Sequence, residues 1–361
     1  MTSKRTSLLA LPALALLALV SGCDDTTSTP AADPGKAGDV YVIGQKYGAG
    51  GSSSLDRIRD GALSSVALAK IPAHSNTGIA ADGGIVFFLD KTLGVVTGFA
   101  GGDPSNVVLD VNVGATSNPY DVAVLSGKAW IARYGSSSLL AVDLATGKAS
   151  DSIDLSSYGN GTAPVPNMMA VVRWNSKLVV PVQRQDADFN AAESSLVLVV
   201  DPTTRKVERR IALPFGNVYD VDLRGDRLAL GCVGGWSSNT DGGLAIVDLS
   251  TGTVTKSIPS TVLGGDPAAV AFTADDVVWA TVEGEAYPAS KARSVTLSTS
   301  KPGDLFEAAS AAADVAFDGR DVWVANGDDA NSFVYRVDPA TSKSTLELRA
   351  TLAPRGLLVL K

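Results

Sequence analysis

Histidine is almost absent from the chain: among 361 residues only His74 is a histidine. A zinc or copper site built from several histidines is therefore excluded. A Ser-His-Asp triad would have to use His74, and no G-x-S-x-G segment supplies a nucleophile elbow. We interpret His74 as a loop histidine whose hydrogen bonds are satisfied locally.

Cysteine is nearly as scarce, with only Cys23 and Cys232 in the chain. Cys23 follows an apolar run, Leu8–Val20, that is too short for an ordinary membrane-spanning helix. Lys4-Arg5 gives this run the positively charged start of a secretion signal. The ending V-S-G-C resembles the bacterial lipobox, in which the cysteine becomes the first residue and carries lipid.

This resemblance implies a signal peptide over residues 1–22 and a lipidated Cys23. The protein would then be anchored in the bacterial cell envelope, on the periplasmic face of a membrane or at the cell surface. The alternative is an ordinary signal peptide with a chance cysteine. Residues 23–38 have almost no large apolar side chain, so we expect a flexible tether. With Cys23 lipidated, Cys232 has no disulfide partner and is expected to be a small buried hydrophobe.

Positive charge is also limited. The chain has 30 Lys and Arg residues and 38 Asp and Glu residues, so its net charge is −8. Removal of the signal peptide would make the net charge about −10. Nucleic acids and anionic lipid surfaces both need a basic footprint, so neither is expected as a partner. We expect a monomer that meets the membrane only through its lipid anchor.

What the chain does contain is an internal repeat. Asn118–Leu155 consists of four short apolar runs separated by Gly, Ser and Asn turns, a pattern that predicts four antiparallel strands. Its first run recurs at spacings of 49, 50, 49 and 45 residues when the copies are aligned on Val122, Val171, Val221, Val270 and Val315. Four-stranded units with periods of about 40–50 residues are typical of β-propeller blades.

The two ends of the repeat region predict how the ring closes. Asp39–Val42 matches a second strand without a first, and Ala353–Leu360 matches a first strand. We therefore predict that the second segment is the innermost strand of the first blade. The 322 residues from Val40 to Lys361 give 46 residues for each of seven blades. The prediction is an all-β, seven-bladed β-propeller over residues 39–361.

Two segments carry a resemblance to a known family. V-W-V-A-N at Val322–Asn326 and S-L-L-A-V-D-L-A-T-G-K at Ser138–Lys148 resemble the tyrosine-valine-threonine-asparagine (YVTN) repeat. The chain after Asp39 is thus similar to the YVTN β-propellers of bacterial and archaeal surface proteins. The resemblance implies the fold but no site, because the repeat residues build blades. One aromatic position of the second strand is expected to pack between blades rather than form a ligand cage: Tyr41, Phe87, Trp130, Trp279 and Trp323.

The loops between second and third strands are the parts that do not repeat. They are longer in blades four to six, at Gln183–Ser195, Gly234–Gly243 and Glu283–Arg293. In propellers these loops surround the mouth of the central channel, and insertions often mark the binding face. We therefore predict that six large or polar loop residues contact a ligand or partner: Arg184, Phe189, Trp236, Asn239, Glu285 and Tyr287.

The blade-four loop also contains Asp186-x-Asp188-x-Asn190, the first part of a calcium-loop spacing. The glycine expected at the sixth place is Ala191, and the glutamate expected at the twelfth is Val197. We expect a solvated loop and no cofactor. The alternative is a calcium ion held by Asp186, Asp188 and Asn190.

Two classes of function remain open from the sequence. The first is a non-catalytic envelope lipoprotein that binds a protein, glycan or small ligand on one face or acts as a scaffold. The second is a hydrolase or lactonase with a metal-assisted site in the central channel. Channel-facing acidic residues that converge on one point would favour the enzyme.

The lipid anchor leads to a direct prediction. Cys23→Ser should leave the precursor unprocessed or release the protein from membranes, because the acylated side chain is lost. The measurement is fractionation of cells after a carbonate wash, with Cys232→Ser as the matched control. Membrane association of the Cys23→Ser protein equal to that of the wild type would contradict the lipobox assignment.

Overall fold

The computed structural model describes residues 36–48, 50–67, 74, 76–160, 164–186, 194–235, 240–284 and 290–361. This part of the chain forms 28 strands in seven separate four-stranded antiparallel sheets. Its single α-helix, α1, has four residues, Ser260–Leu263. None of the helices in these ranges has the length and apolar character needed to cross a membrane. The fold is a seven-bladed β-propeller, as the repeat predicts.

The strands are numbered in chain order, and each blade is given from its inner to its outer strand. Blade 1 contains β28 (Pro354–Val359), β1 (Val40–Lys46), β2 (Ser52–Arg59) and β3 (Ala62–Ser65). Blade 2 contains β4 (Thr77–Asp82), β5 (Ile85–Asp90), β6 (Val95–Ala100) and β7 (Val107–Asn112). Blade 3 contains β8 (Pro119–Leu125), β9 (Lys128–Arg133), β10 (Ser138–Asp143) and β11 (Lys148–Asp154). Blade 4 contains β12 (Val172–Trp174), β13 (Lys177–Val182), β14 (Leu196–Asp201) and β15 (Lys206–Ala212).

The remaining three blades follow the same order. Blade 5 contains β16 (Val218–Arg224), β17 (Arg227–Cys232), β18 (Gly243–Asp248) and β19 (Thr253–Pro259). Blade 6 contains β20 (Pro267–Ala274), β21 (Val277–Glu283), β22 (Ser290–Thr296) and β23 (Lys301–Pro302). Blade 7 contains β24 (Ala312–Phe317), β25 (Val322–Gly327), β26 (Ser332–Asp338) and β27 (Lys343–Arg349).

Blade 1 joins the two ends of the described chain. β28 pairs antiparallel with β1, with Leu357 opposite Val42. Just beyond this pairing, the Leu360 amide donates to the Asp39 carbonyl at 2.9 Å. The predicted closure of the first blade by the last strand is therefore confirmed.

The middle strands of the blades correspond to the continuous apolar runs in the sequence, and the outer strands correspond to the segments in which apolar and polar residues alternate. β5 and β25 are buried along their whole length, because a blade in the ring is covered on both faces by its neighbours. The outer strand β19 has only one well-buried residue, Ile258, and its other side chains alternate between partly buried and exposed. The second strand of a blade is thus apolar along its length, whereas the outer strand is amphipathic.

The aromatic position of the second strand fills the space between neighbouring blades. Trp130 of blade 3 packs with Leu178 and Val180 of blade 4, and Trp279 of blade 6 packs with Val322 and Val324 of blade 7. All five residues of the series are buried: Tyr41, Phe87, Trp130, Trp279 and Trp323. The prediction of core packing rather than a ligand cage is confirmed.

Two boundaries differ from the sequence prediction. The repeat predicts that Val171 lies in the inner strand of blade 4, but β12 begins only at Val172. Pro181 lies in the adjoining β13 and has no N–H to donate, so the regular ladder stops there. In blade 6, β22 begins at Ser290, so the loop predicted to extend to Arg293 is shorter.

Candidate functional site

A central channel runs through the ring and has a volume of about 1450 Å³. Residues of all seven inner strands line it. The inner strands run from one end of the channel to the other. In β16, for example, Tyr219 lies near the first end and Arg224 at the second. We call the end of the channel where the inner strands start the channel mouth. It is lined by Tyr47, Lys91, Tyr120, Tyr219, Glu283 and Arg355, and Tyr134 packs against Tyr120.

Each inner strand has a sheet partner on one side only, so the N–H groups on its other edge need acceptors elsewhere. In three places an aspartate carboxylate of the preceding blade accepts such a bond. The three pairs are Asp121 with the Val171 amide at 2.9 Å, Asp220 with Val270 at 2.7 Å and Asp314 with Leu357 at 2.7 Å. The last pair ties blade 7 to the strand that closes the ring.

A second row of the same kind lies deeper in the channel. Asp82 accepts a bond from the Val124 amide at 2.8 Å, and Asp222 accepts one from the Phe272 amide at 2.7 Å. Each bond again joins one blade to the next. The channel aspartates therefore connect inner strands sideways, where no strand pairing exists.

The aspartates of the first three pairs, Asp121, Asp220 and Asp314, occupy the same position of the repeat in their blades. Blades 3, 5 and 7 have aspartate there, and the other four have a small residue: Gly78, Ala170, Ala269 and Gly356. Around Gly356 the space is already filled, since a Cβ atom would lie 2.8 Å from the Ile43 side chain and 3.9 Å from the Asp314 carboxylate. At this position the Ile43 side chain, and not the carboxylate, limits the size of the residue.

These carboxyls lie in surroundings that disfavour their charge. Burial raises the pKa of Asp121 and of Asp314 to about 7. Burial, followed by the nearby Asp314 carboxylate, raises the pKa of Asp220 well above its usual range. Two aspartates that repel each other inside the channel hold protons more tightly than free aspartate does.

Within the described ranges, no three His, Cys, Asp or Glu side chains are grouped so that they could hold an ion. The carboxylates of Asp121 and Asp314 each accept two backbone N–H bonds, so their oxygens already have partners. His74 lies outside the channel and contacts the Asp90 carboxylate at 3.1 Å. Cys232 is buried, and burial raises the pKa of its thiol.

The channel mouth has a different composition. Its tyrosines and cations come from several blades, and two of the rings stack: Tyr120 and Tyr134 have ring centroids 5.1 Å apart. The Tyr134 hydroxyl donates to the Gln183 amide oxygen at 2.9 Å. Burial, with a smaller effect of the Tyr219 phenol, raises the pKa of Tyr134, and burial raises that of Tyr120 to about 12. The rings therefore form a largely fixed, uncharged surface.

Two of the mouth tyrosines face solvent. Tyr47 is 55% exposed and Tyr219 is 44% exposed, although aromatic side chains are usually covered. The Arg355 guanidinium lies 5.1 Å from the centre of the Tyr47 ring, and its Nη2 atom is 3.6 Å from Asp329. Exposed aromatic side chains beside cations are typical of recognition surfaces.

The opposite end of the channel carries charged groups that already have partners. Arg173 lies 3.3 Å from Asp82, and Arg224 lies 2.7 Å from Asp275. Ion pairs thus lie at both ends of the channel, and the exposed tyrosine rings distinguish the mouth.

The predicted loop residues are only partly within the described ranges. Arg184 is 8% exposed, and its guanidinium donates to the carbonyls of Tyr158 and Ser194 at 3.2 Å, so it ties the base of the blade-four loop. Asp186 is half-buried at the end of a described segment. The other predicted residues lie outside the described ranges: Cys23, Phe189, Trp236, Asn239, Glu285, Tyr287, Asp188 and Asn190. Their roles stay predictions.

Sequence reasoning missed the tyrosines and the lysine of the channel mouth. A signal was present, because the position four residues after the second-strand aromatic should have a common role in all blades. It holds very different residues: Gln45, Lys91, Tyr134, Gln183, Val233, Glu283 and Gly327. This position is therefore not specified by the repeat. Its variation could have drawn attention to Lys91 and Tyr134, but not to Tyr47, Tyr120 or Tyr219.

No protein-family model matches the chain, and no curated protein does. The YVTN resemblance therefore stays a prediction. Solved structures do match. Apo AztD from Citrobacter koseri is 16% identical, with a TM-score of 0.54 and coverage of 88% of this chain and 96% of AztD. Dihydro-heme d1 dehydrogenase NirN, in complex with DHE, is 14% identical, with a TM-score of 0.60 and coverage of 93% and 78%.

A third match is the WD40 β-propeller domain of Doa1, which is 11% identical with a TM-score of 0.54. It covers 76% of this chain and 82% of that domain. At such low identities the similarity establishes the β-propeller fold alone. The roles of these proteins differ, in keeping with the many functions that one fold supports.

The raised pKa values of the channel aspartates predict how stability depends on pH. A carboxyl whose folded pKa lies above its unfolded value binds more protons when folded, so the free energy of unfolding falls as pH rises from about 4 to 7. Between pH 5 and pH 7.5 the full chain should lose on the order of 1–2 kcal/mol. The loss is smaller than full burial would give, because the channel admits water.

Asp314→Asn tests whether the channel aspartates cause the pH dependence of stability. The amide oxygen can still accept the Leu357 bond but the side chain cannot ionise, so the pH dependence of the denaturation midpoint should be flatter. Asp338→Asn is the matched control, because this turn carboxyl has a lowered pKa and stays ionised throughout the window. A wild-type protein that gains stability between pH 5 and pH 7.5 would contradict the assignment.

Proposed function

We propose that the protein is a non-catalytic binding module of the bacterial cell envelope, tethered through Cys23, whose ligand or partner docks at the channel mouth. The observation that carries this proposal is the difference between the two ends of the channel. The mouth exposes Tyr47 and Tyr219, while the far end pairs Arg173 with Asp82 and Arg224 with Asp275. Charged groups that already have partners leave little for a ligand to satisfy.

The repeat architecture supports binding on this face. The loops between second and third strands start where Lys91 and Tyr134 follow their strands, so they surround the channel mouth. Seven stacked blades make a rigid support, and loops on rigid supports commonly carry recognition. The inserted loops of blades 4 to 6 would extend the same surface through Trp236 and Tyr287.

The hydrolase alternative receives less support. A metal-assisted site in the channel would need carboxylate oxygens that are free to bind an ion. Asp121, Asp220 and Asp314 instead accept amide bonds from the next blade. Removing these oxygens from the inner edges would weaken the ring, so the channel carboxyls serve the scaffold.

The docking face can be tested with substitutions that leave the fold intact. A ligand would first be found by thermal-shift screening of sugars, small organic acids and envelope glycans. Tyr47→Ala and Tyr219→Ala should then weaken binding by roughly 10-fold or more each. The same outcome is expected for Trp236→Ala and Tyr287→Ala, since the loop residues would share the face.

Arg173→Ala and Arg224→Ala, at the far end of the channel, are the matched controls. Surface substitutions of this kind change the free energy of unfolding by only about 0.5 kcal/mol, so all variants should melt near the wild-type temperature. If the tyrosine variants bind normally and the arginine variants lose binding, the ligand docks at the far end of the channel and the proposal is wrong.

A further inference from the structure

The second strands of blades 3, 4 and 5 each begin with a cation, and the repeat allows these three cations to be compared. In blade 4 the Lys177 amine donates to the Asp201 carboxylate at 2.8 Å and to the Glu208 carboxylate at 2.7 Å. In blade 3 the Lys128 amine lies 3.8 Å from the Asp151 carboxylate. In both blades the cation is thus paired with an acid on the outer strand of its own blade.

Arg227, the cation of blade 5, has lost this acid. Glu208 is the residue of β15 that bulges from the pairing with β14, and Thr255 is the corresponding residue of β19. Asp248 lies directly opposite Arg227 in the strand pairing, yet among the described residues no carboxylate oxygen lies within 4 Å of the guanidinium nitrogens. Threonine in place of the glutamate therefore leaves Arg227 without an ion pair in its own blade.

The guanidinium of Arg227 turns toward blade 6 instead. Its Nη1 atom donates to the Asp275 carbonyl, and its central carbon lies 5.7 Å from the centre of the Phe272 ring. The Asp275 carboxylate is 89% exposed and pairs with Arg224 at 2.7 Å, and Arg227 acts on it only from beyond ion-pair distance. Asp275 therefore does not replace the missing acid.

A surface pocket of about 330 Å³ opens beside Arg227, at the seam between blades 5 and 6. Lys256, which also lines this pocket, aligns with Arg209 of blade 4. The Arg209 guanidinium crosses the preceding seam and donates to the Ser250 carbonyl at 3.2 Å, whereas the Lys256 amine reaches the Ser298 carbonyl only at 3.5 Å. The shorter side chain, with its single amine, leaves space at this seam.

The charges of the pocket favour a monoanion. Arg227 and Lys256 supply two positive charges, and Asp248 and Asp276 supply two negative ones. Each of these two carboxylates already accepts a turn amide, at 2.8 Å and 2.7 Å. Their repulsion disfavours a phosphate dianion, whereas a single carboxylate matches the group that blade 4 places beside Lys177.

We propose that the pocket between blades 5 and 6 binds a small monocarboxylate, whose carboxylate takes the place that the Glu208 carboxylate holds in blade 4 and pairs with Arg227. The Lys256 amine is the second donor, and a guanidinium can bind a carboxylate through two parallel N–H bonds. A pocket of about 330 Å³ is at the small end of ligand sites, so the ligand has few non-hydrogen atoms. None of the residues that line this pocket lines the channel, so the site goes beyond the proposed function.

The test is an NMR titration of the purified full chain with acetate and lactate at constant ionic strength, with acetamide and lactamide as the neutral counterparts. At least one carboxylate should shift the amide signals of Thr255 and Ser298 saturably, with a dissociation constant below about 10 mM. Its neutral counterpart should bind at least 10-fold more weakly, because the charged hydrogen bonds are lost. Inorganic phosphate should also bind more weakly than the carboxylate.

Substitutions then assign the binding to this pocket. Arg227→Met removes the guanidinium and should weaken binding by about 10- to 100-fold. Thr255→Glu restores the arrangement of blade 4, so the added carboxylate should fill the pocket and abolish binding while the melting temperature stays at or above that of the wild type. Lys177→Met is the matched control, because Glu208 already occupies the corresponding place in blade 4, and it should bind as the wild type does.

Several results would each overturn the proposal: carboxylates that leave the Thr255 and Ser298 signals unshifted, neutral amides or phosphate that bind equally well, or normal binding by Arg227→Met or Thr255→Glu. Loss of binding in Lys177→Met equal to that in Arg227→Met would place the site elsewhere and would overturn it too. The channel mouth is tested separately by Tyr47→Ala and Tyr219→Ala, so the proposed function and this pocket can fail independently.

Discussion

The inner edge of each blade is the constraint on which the ring depends. An inner strand pairs with its own blade on one side and faces the channel on the other, so alternate N–H groups have no strand to bond. In this protein five such amides are bound by aspartates of the preceding blade. Each bond satisfies a backbone donor and joins two neighbouring blades. The Asp314 bond to Leu357 does so at the seam between the last blade and the closing strand.

The aspartates that bind these amides also determine the chemistry of the channel. The channel becomes rich in carboxyls, which resembles an active site, yet their oxygens are engaged by backbone amides and their pKa values are raised because charge is disfavoured there. The Asp121 and Asp314 carboxyls are thus used to hold neighbouring blades together. The groups that the fold does not need lie at the mouth, where Lys91 and the exposed tyrosines vary from blade to blade. We infer that recognition takes place where the repeat is broken.

The sequence predicted the framework well because the framework is periodic. Blade number, strand order, closure by the last strand and the packing of Trp130 and its equivalents all follow from spacings and apolar runs, and all are present. β12 is shorter than predicted because Pro181 stands in the neighbouring strand, an effect that depends on pairing and not on the segment itself.

The site was harder to predict, for a physical reason. Contacts such as Asp220 with Val270 or Lys91 with Tyr120 join residues of neighbouring blades, and only the curvature of the ring brings them together. No local pattern reports such a contact. That the long loops mark a binding face stays a prediction. Arg184, selected from one of these loops, is buried against carbonyl groups. Tyr47, Lys91 and Tyr134 follow second strands directly, whereas Tyr120, Tyr219 and Arg355 lie in inner strands. Only the structure shows that these two sets meet at the mouth.

Residue-resolved amide hydrogen exchange is the most direct measurement of the central claim, that aspartates close the inner edges of the ring. The amides of Val171, Val270 and Leu357 should exchange slowly although they face a channel that admits water. In Asp314→Ala only Leu357 should lose its protection, while Val171 and Val270 keep theirs. Fast exchange of all three amides in the wild type, or unchanged protection of Leu357 in Asp314→Ala, would contradict the account.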